Sequence, residues 1–154
     1  MDKKELRMFN PFLISQANSQ EISDQYEKLQ DKLNDNADTP YQIADNIEIY
    51  ANLNYLIGEM IARISEELNV LKTTIDITQA KQVYMQRKQW AEMNTEKTPA
   101  MSYFEALATE FVKDDLIKIA ELDSRLKRFK VAYDSIESKQ NALKKKIEAI
   151  KYET

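Results

Sequence analysis

The stretch Ile119–Ile150, IAELDSRLKRFKVAYDSIESKQNALKKKIEAI, decides the fold. Divided into sevens, its first positions are Ile119, Leu126, Tyr133, Gln140 and Ile147, and its fourth positions are Leu122, Phe129, Ile136, Leu143 and Ile150. All but Gln140 are apolar, and this repeat draws one continuous stripe along a helix that winds against another helix. Gln140 is the polar interruption; such a residue fixes register or oligomeric state at some cost in stability, or marks a point of fraying.

A partner stripe lies upstream in Ile43, Ile47, Tyr50, Leu53, Ile57, Ile61, Ile64, Leu68, Leu71 and Ile75, with steps of four and three from Ile57 onward. Thr39-Pro40-Tyr41-Gln42 starts that helix, with Thr at the N-cap, Pro at the first helical position and Gln three residues after the cap. Helical character continues to Met93, and a break follows at Asn94 to Pro99. Beyond it either Thr98-Pro99 or the pair Ser102 and Glu105 supplies the next start. Two helices, about 41–93 and 100–151, each span roughly 75 to 80 Å at 1.5 Å per residue, and so short a link makes them antiparallel neighbours. The lone Gly58 costs about 1 kcal/mol against alanine inside a helix, so it marks either a close backbone approach or a local bend.

Ahead of the hairpin, Ile22, Tyr26, Leu29 and Leu33 share one face of a short helix over about 19–34. Residues 1–18 hold Leu6, Met8, Phe9, Phe12, Leu13 and Ile14 around Pro11, an irregular apolar segment that docks on its own subunit or on a neighbour's. The expectation is therefore all-α: a long antiparallel, coiled-coil-like hairpin with a short N-terminal helix, forming a single helical domain over 19–154. A two-helix hairpin buries little by itself, so homo-oligomerisation through Leu126, Phe129, Tyr133, Gln140 and Leu143 is expected.

Composition agrees. One glycine and three prolines among 154 residues leave few residues suited to strand turns, and 31% charged residues suit long helices. The absence of cysteine and histidine removes disulfides, thiolate nucleophiles, imidazole bases and the zinc sites built from them. No glycine-rich phosphate loop exists, and no glutamate has another three residues on, as a helical pyrophosphatase would show. Asp114-Asp115 and Glu66-Glu67 point about 100° apart on a helix and do not share a metal. No enzyme, cofactor or metal is expected. No apolar run reaches membrane-spanning length and the N-terminus makes a poor signal peptide, so a cytoplasmic location is expected.

Charge is polarised. Residues 1–77 hold 7 basic and 14 acidic side chains, whereas 78–154 hold 15 basic and 12 acidic. The sequence Tyr84-Met85-Gln86-Arg87-Lys88-Gln89-Trp90, followed by Tyr103-Phe104, interleaves rings with cations. Single-stranded nucleic acid is held by that mixture, because rings stack on bases while cations neutralise phosphates. The bland alternative is that Trp90, Tyr103 and Phe104 plug the hairpin tip. A second basic run, Arg125, Lys127, Arg128 and Lys130, flanks the heptad stripe and either contacts an anionic partner or neutralises the acidic half.

A long helix ending in a Tyr/Lys/Arg-rich segment, a short break, Tyr103, the step Asp115-Leu116 and the ending Ile147-Glu148-Ala149-Ile150-Lys151-Tyr152-Glu153 together resemble the UvsY family of phage recombination mediators. The resemblance spans about residues 46–153. It implies a ring-like oligomer that binds single-stranded DNA and helps a RecA-like recombinase displace single-strand-binding protein, inside a bacterial host. By position, Lys81, Arg87 and Lys88 would fall in the family's basic DNA-binding part. The net charge of −4 departs from strong, general DNA affinity. A protein-binding coiled coil, serving as an assembly factor or an inhibitor of a host protein, is the alternative of a different class.

Overall fold

A reciprocal capping box starts the longest helix. In the computed structural model, which describes residues 14–93 and 96–153, the Gln42 amide N–H donates to Thr39 Oγ1 at 3.3 Å and the Thr39 N–H to Gln42 Oε1 at 3.4 Å. Among the described residues there are four helices and no strands: α1 Ser19–Asp31, α2 Pro40–Met93, α3 Met101–Phe111 and α4 Lys113–Glu153. The fold is all-α. The expected N-terminal apolar segment lies outside the described residues apart from 14–18, of which Ile14 and Ala17 are buried.

The helices pack as two compact units, one within Met1–Arg63 and Lys127–Thr154 and the other within Ile64–Leu126. In the first, α1 turns Ile22 and Leu29 onto Leu53, Leu56 and Ile57 of α2 and Ile136 of α4, with Tyr26, Leu33 and Phe129 packed around them. Asn54 Nδ2 of α2 donates to the Tyr133 carbonyl at 3.3 Å, and Gln140 Nε2 of α4 donates to the Ile47 carbonyl at 3.2 Å. As the α2 partner advances seven residues, the α4 partner falls back seven, which is an antiparallel heptad register. Arg63 clasps the approach to α1: its guanidinium donates to the Ile14 carbonyl at 3.2 Å and to the Ala17 carbonyl, and its Nε pairs with Glu59 at 3.0 Å.

The second unit buries Ile64, Leu68 and Ile75 of α2, Phe104 and Ala108 of α3, Val112 at the joint and Leu122 of α4. Glu67 and Lys118 join α2 to α4 at 3.5 Å.

Three boundaries differ from the sequence reading. The helix expected over 100–151 is two helices, hinged at Val112, whose φ of −102° and ψ of 14° leave the α region. The joint keeps its hydrogen bonds, since Val112 N–H donates to Ala108 O at 3.3 Å and Leu116 N–H to Val112 O at 3.0 Å. Thr109 Oγ1 bonds back to Glu105 O at 2.9 Å, a contact that bends helices, and Asp114 and Asp115 give α4 an acidic first turn that favours a new start. Helix α3 takes neither expected cap: Ala100 occupies the N-cap without a side-chain bond, and the burial of Phe104, Ala108 and Val112 sets its position. Helix α1 ends at Asp31 rather than Asn34, because buried Asn46 holds the backbone of Asn34 in two hydrogen bonds, at 3.0 Å to its N–H and 2.8 Å to its carbonyl.

Asn46→Ala removes both partners of Asn34 and is expected to cost about 1–3 kcal/mol in a urea titration. Among the described residues Gly58 shows no close backbone approach: a Cβ there would meet Tyr133 Cε2 at 3.9 Å. Gly58→Ala is therefore expected to raise stability by about 1 kcal/mol, measured in the same titration.

Candidate nucleic-acid interface

Lys81, Tyr84, Arg87 and Lys88 all lie exposed on α2 within the second unit. Spacings of three and four place them along one side of the helix, away from the buried stripe of Ile64, Leu68 and Ile75. Tyr84 is 68% exposed, so its ring face is open to stacking. None of the three cations forms a salt bridge among the described residues.

The second basic run is less convergent. Arg125 is exposed on α4 in the second unit, whereas Lys127, Arg128 and Lys130 are exposed on α4 in the first. Lys127 and Lys130 share a side of the helix, while Arg128 points about 100° away from Lys127. These four also make no salt bridge among the described residues. Other basic groups do meet the N-terminal half: Lys118 pairs with Glu67, Lys146 Nζ donates to the Ala37 carbonyl at 3.3 Å, and Lys139 shares a cavity wall with Asp31 and Asp35. The one ion pair among these, Lys118 with Glu67, uses a cation outside the candidate set.

The tip aromatics pack on one another. Trp90 meets Tyr103 edge-on with ring centroids 6.4 Å apart, and Tyr103 meets Phe104 at 5.4 Å, tying α2 to α3. Phe104 is 1% exposed, so that ring is structural.

The residues named for oligomerisation have partners within the chain. Phe129 packs against the first unit's core, Gln140 bonds Ile47, and the Tyr133 ring edges the notch at Gly58. Leu126 and Leu143 are half-buried.

Sequence reading missed three residues that organise the first unit: Asn46, Asn54 and Arg63. Asn46 had a usable signal, since Ile43, Asn46, Tyr50, Leu53 and Ile57 keep an unbroken alternation of three and four that Ile47 disturbs. Arg63 had none, because its partners are backbone carbonyls more than forty residues away.

Besides the cavity at Lys139, two openings are lined by the first unit's helices. An apolar cavity of about 340 Å³ is lined by Ile22, Tyr26, Leu56, Met60 and Phe129, among others. A groove of about 480 Å³ runs past Ala51, Asn54, Gly58, Tyr133 and Gln140, and Asn54 Oδ1 is buried there without a hydrogen-bond partner. Among the described residues no three carboxylates converge as a metal site, and no helix is long and apolar enough to cross a membrane. No protein-family model, curated protein or solved structure matches this chain.

Burial raises the pKa of Tyr26 above its usual value near 10. A phenol whose folded pKa is raised contributes stability that is fully present below the unfolded value and is lost as pH rises through the folded one. The expected outcome is a urea midpoint that falls less steeply above pH ~10 in Tyr26→Phe than in the parent chain. In the second unit, Phe104→Ala is expected to cost about 3–5 kcal/mol. Tyr84→Ala should stay within about 0.5 kcal/mol in the same thermal denaturation series.

Proposed function

We propose that this chain is a non-enzymatic accessory protein of phage-type recombination or replication that binds single-stranded DNA through α2 and assists a recombinase. One observation supports the reading above others: Lys81, Tyr84, Arg87 and Lys88 combine an open ring with unpaired cations on one exposed helix side. Phosphate contacts would supply affinity and the tyrosine a sequence-tolerant stacking platform. Arg125, Lys127, Arg128 and Lys130 are further exposed cations that would contact phosphates. The pattern shared with the UvsY family points the same way. A RecA-like recombinase or a single-strand-binding protein is the protein partner this reading implies, within a bacterial cytoplasm.

A second reading has its own observation. Helix α3 buries Phe104 and Ala108 but leaves Tyr103, Leu107 and Phe111 exposed, an apolar side suited to a protein partner. On this reading the chain is a coiled-coil docking module without nucleic-acid affinity.

Fluorescence anisotropy with a labelled oligonucleotide separates the two. Binding is expected at low salt in the micromolar range, weakening with log salt at a slope of about −0.7 per phosphate contacted. Arg87→Glu with Lys88→Glu should abolish it, and Tyr84→Ala should cost about 1–3 kcal/mol. No binding at tens of micromolar, or an unchanged double mutant, would sink the DNA reading. Loss of partner capture on Phe111→Asp with intact folding would favour the second.

A further inference from the structure

One side of α2 in the second unit carries the exposed residues Glu66, Val70, Thr73, Ile77, Lys81, Tyr84 and Lys88. Their spacings are four, three, four, four, three and four, so the row reads the same in both directions about Ile77. The apolar members are unusually open, with Val70 at 62%, Ile77 at 52% and Tyr84 at 68% exposure. Thr73 returns its hydroxyl to the Asn69 carbonyl at 2.9 Å, which leaves its methyl group free for an apolar seam. Glu66, Lys81 and Lys88 form no salt bridge among the described residues.

The geometry points to this side of α2 as the surface on which a second copy of the chain docks, antiparallel and two-fold symmetric about Ile77. Two-fold pairing requires that a surface complement itself with its order reversed, residue i meeting j while j meets i. The mirror pairs here do so in chemistry as well as spacing. Ile77 meets Ile77 of the other copy, Val70 meets Tyr84, and Thr73 meets Lys81, whose methylene stem can cover the threonine methyl. At the ends Glu66 meets Lys88, once on each side of the axis. A parallel arrangement would instead set Glu66 against Glu66 and Lys88 against Lys88, which like-charge repulsion disfavours. The row is about 33 Å long at 1.5 Å per residue, enough for three heptads of contact. Lys81, Tyr84 and Lys88 belong also to the proposed strand-binding side, so a paired α2 withholds them. The pairing itself needs no nucleic acid, and its test uses none.

The chain has no cysteine, so single introduced thiols report contacts without background. Under mild oxidation at tens of micromolar, Ile77→Cys is expected to cross-link to itself. Val70→Cys alone and Tyr84→Cys alone are expected to stay uncross-linked, because in the antiparallel pair each lies about 21 Å from its own copy. Mixing those two variants should yield the Val70–Tyr84 heterodimer. In sedimentation equilibrium the parent chain should dimerise, Glu66→Lys should weaken the dimer about tenfold at low salt, and Glu66→Lys with Lys88→Glu should restore it. Circular dichroism of each exposed-site variant should match the parent, so that loss of pairing is read apart from loss of folding. A monomer at all concentrations, self-cross-linking of Val70→Cys as strong as that of Ile77→Cys, or failure of the charge swap to restore the dimer would overturn the inference.

Discussion

Asn54 and Gln140 fix the alignment on which the first unit depends, each reaching across from its own helix to a backbone carbonyl of the other. Apolar side chains alone would tolerate α2 and α4 sliding by a heptad, since a seam of isoleucine and leucine repeats itself every seven residues. Asn54 and Gln140 break that repetition with polar groups, each tied across the seam at the observed alignment. The alignment then determines what α1 meets: Leu53, Leu56 and Ile57 from one helix and Ile136 from the other, which together make the bed for Ile22 and Leu29. Asn54 Oδ1 lies at the groove beside Gly58 and Tyr133, with no hydrogen-bond partner among the described residues.

Electrostatics divides along the same lines. One ion pair, Lys118 with Glu67, joins the base of the C-terminal half to the acid of the N-terminal half, while Lys146 donates to the Ala37 carbonyl. Lys81, Arg87 and Lys88 on α2 and Arg125, Lys127, Arg128 and Lys130 on α4 are among the exposed cations without a salt bridge among the described residues. With neither histidine nor cysteine, no side chain has an unperturbed pKa between about 5 and 8. Ionic strength, rather than acidity, is therefore the variable to which these surface charges respond.

The strongest elements were legible because their physics is local and repetitive. The α4 heptad placed Leu122 and Ile136 in buried positions, and Thr39-Pro40-Tyr41-Gln42 announced a capping box that the structure forms. The break at Val112 was not legible, since no proline or glycine marks it and the burial of Val112 depends on packing. The start of α3 was misplaced for a related reason: two cap signals were present, yet packing of Phe104 won over both. At the candidate site, spacing alone put Tyr84, Arg87 and Lys88 on one side of a helix. Which cations remain unpaired was beyond the sequence, because it depends on contacts such as Glu67 with Lys118 across separate helices.

The two units differ in how the chain enters them. The second is a single continuous run, Ile64–Leu126, whereas the first joins residues from both ends. Its contacts span long separations, 93 residues from Gln140 to Ile47 and 109 from Lys146 to Ala37. Closing so long a loop from a flexible chain is entropically costly, though each doubling adds only about 0.6 kcal/mol. Every residue ordered within 64–126 is removed from that loop. The clasp of Arg63 on the carbonyls of Ile14 and Ala17 can form only after α2 exists to present it. Docking of α1 therefore depends on α2, both for that clasp and for the bed that Leu53, Leu56 and Ile57 offer to Ile22 and Leu29.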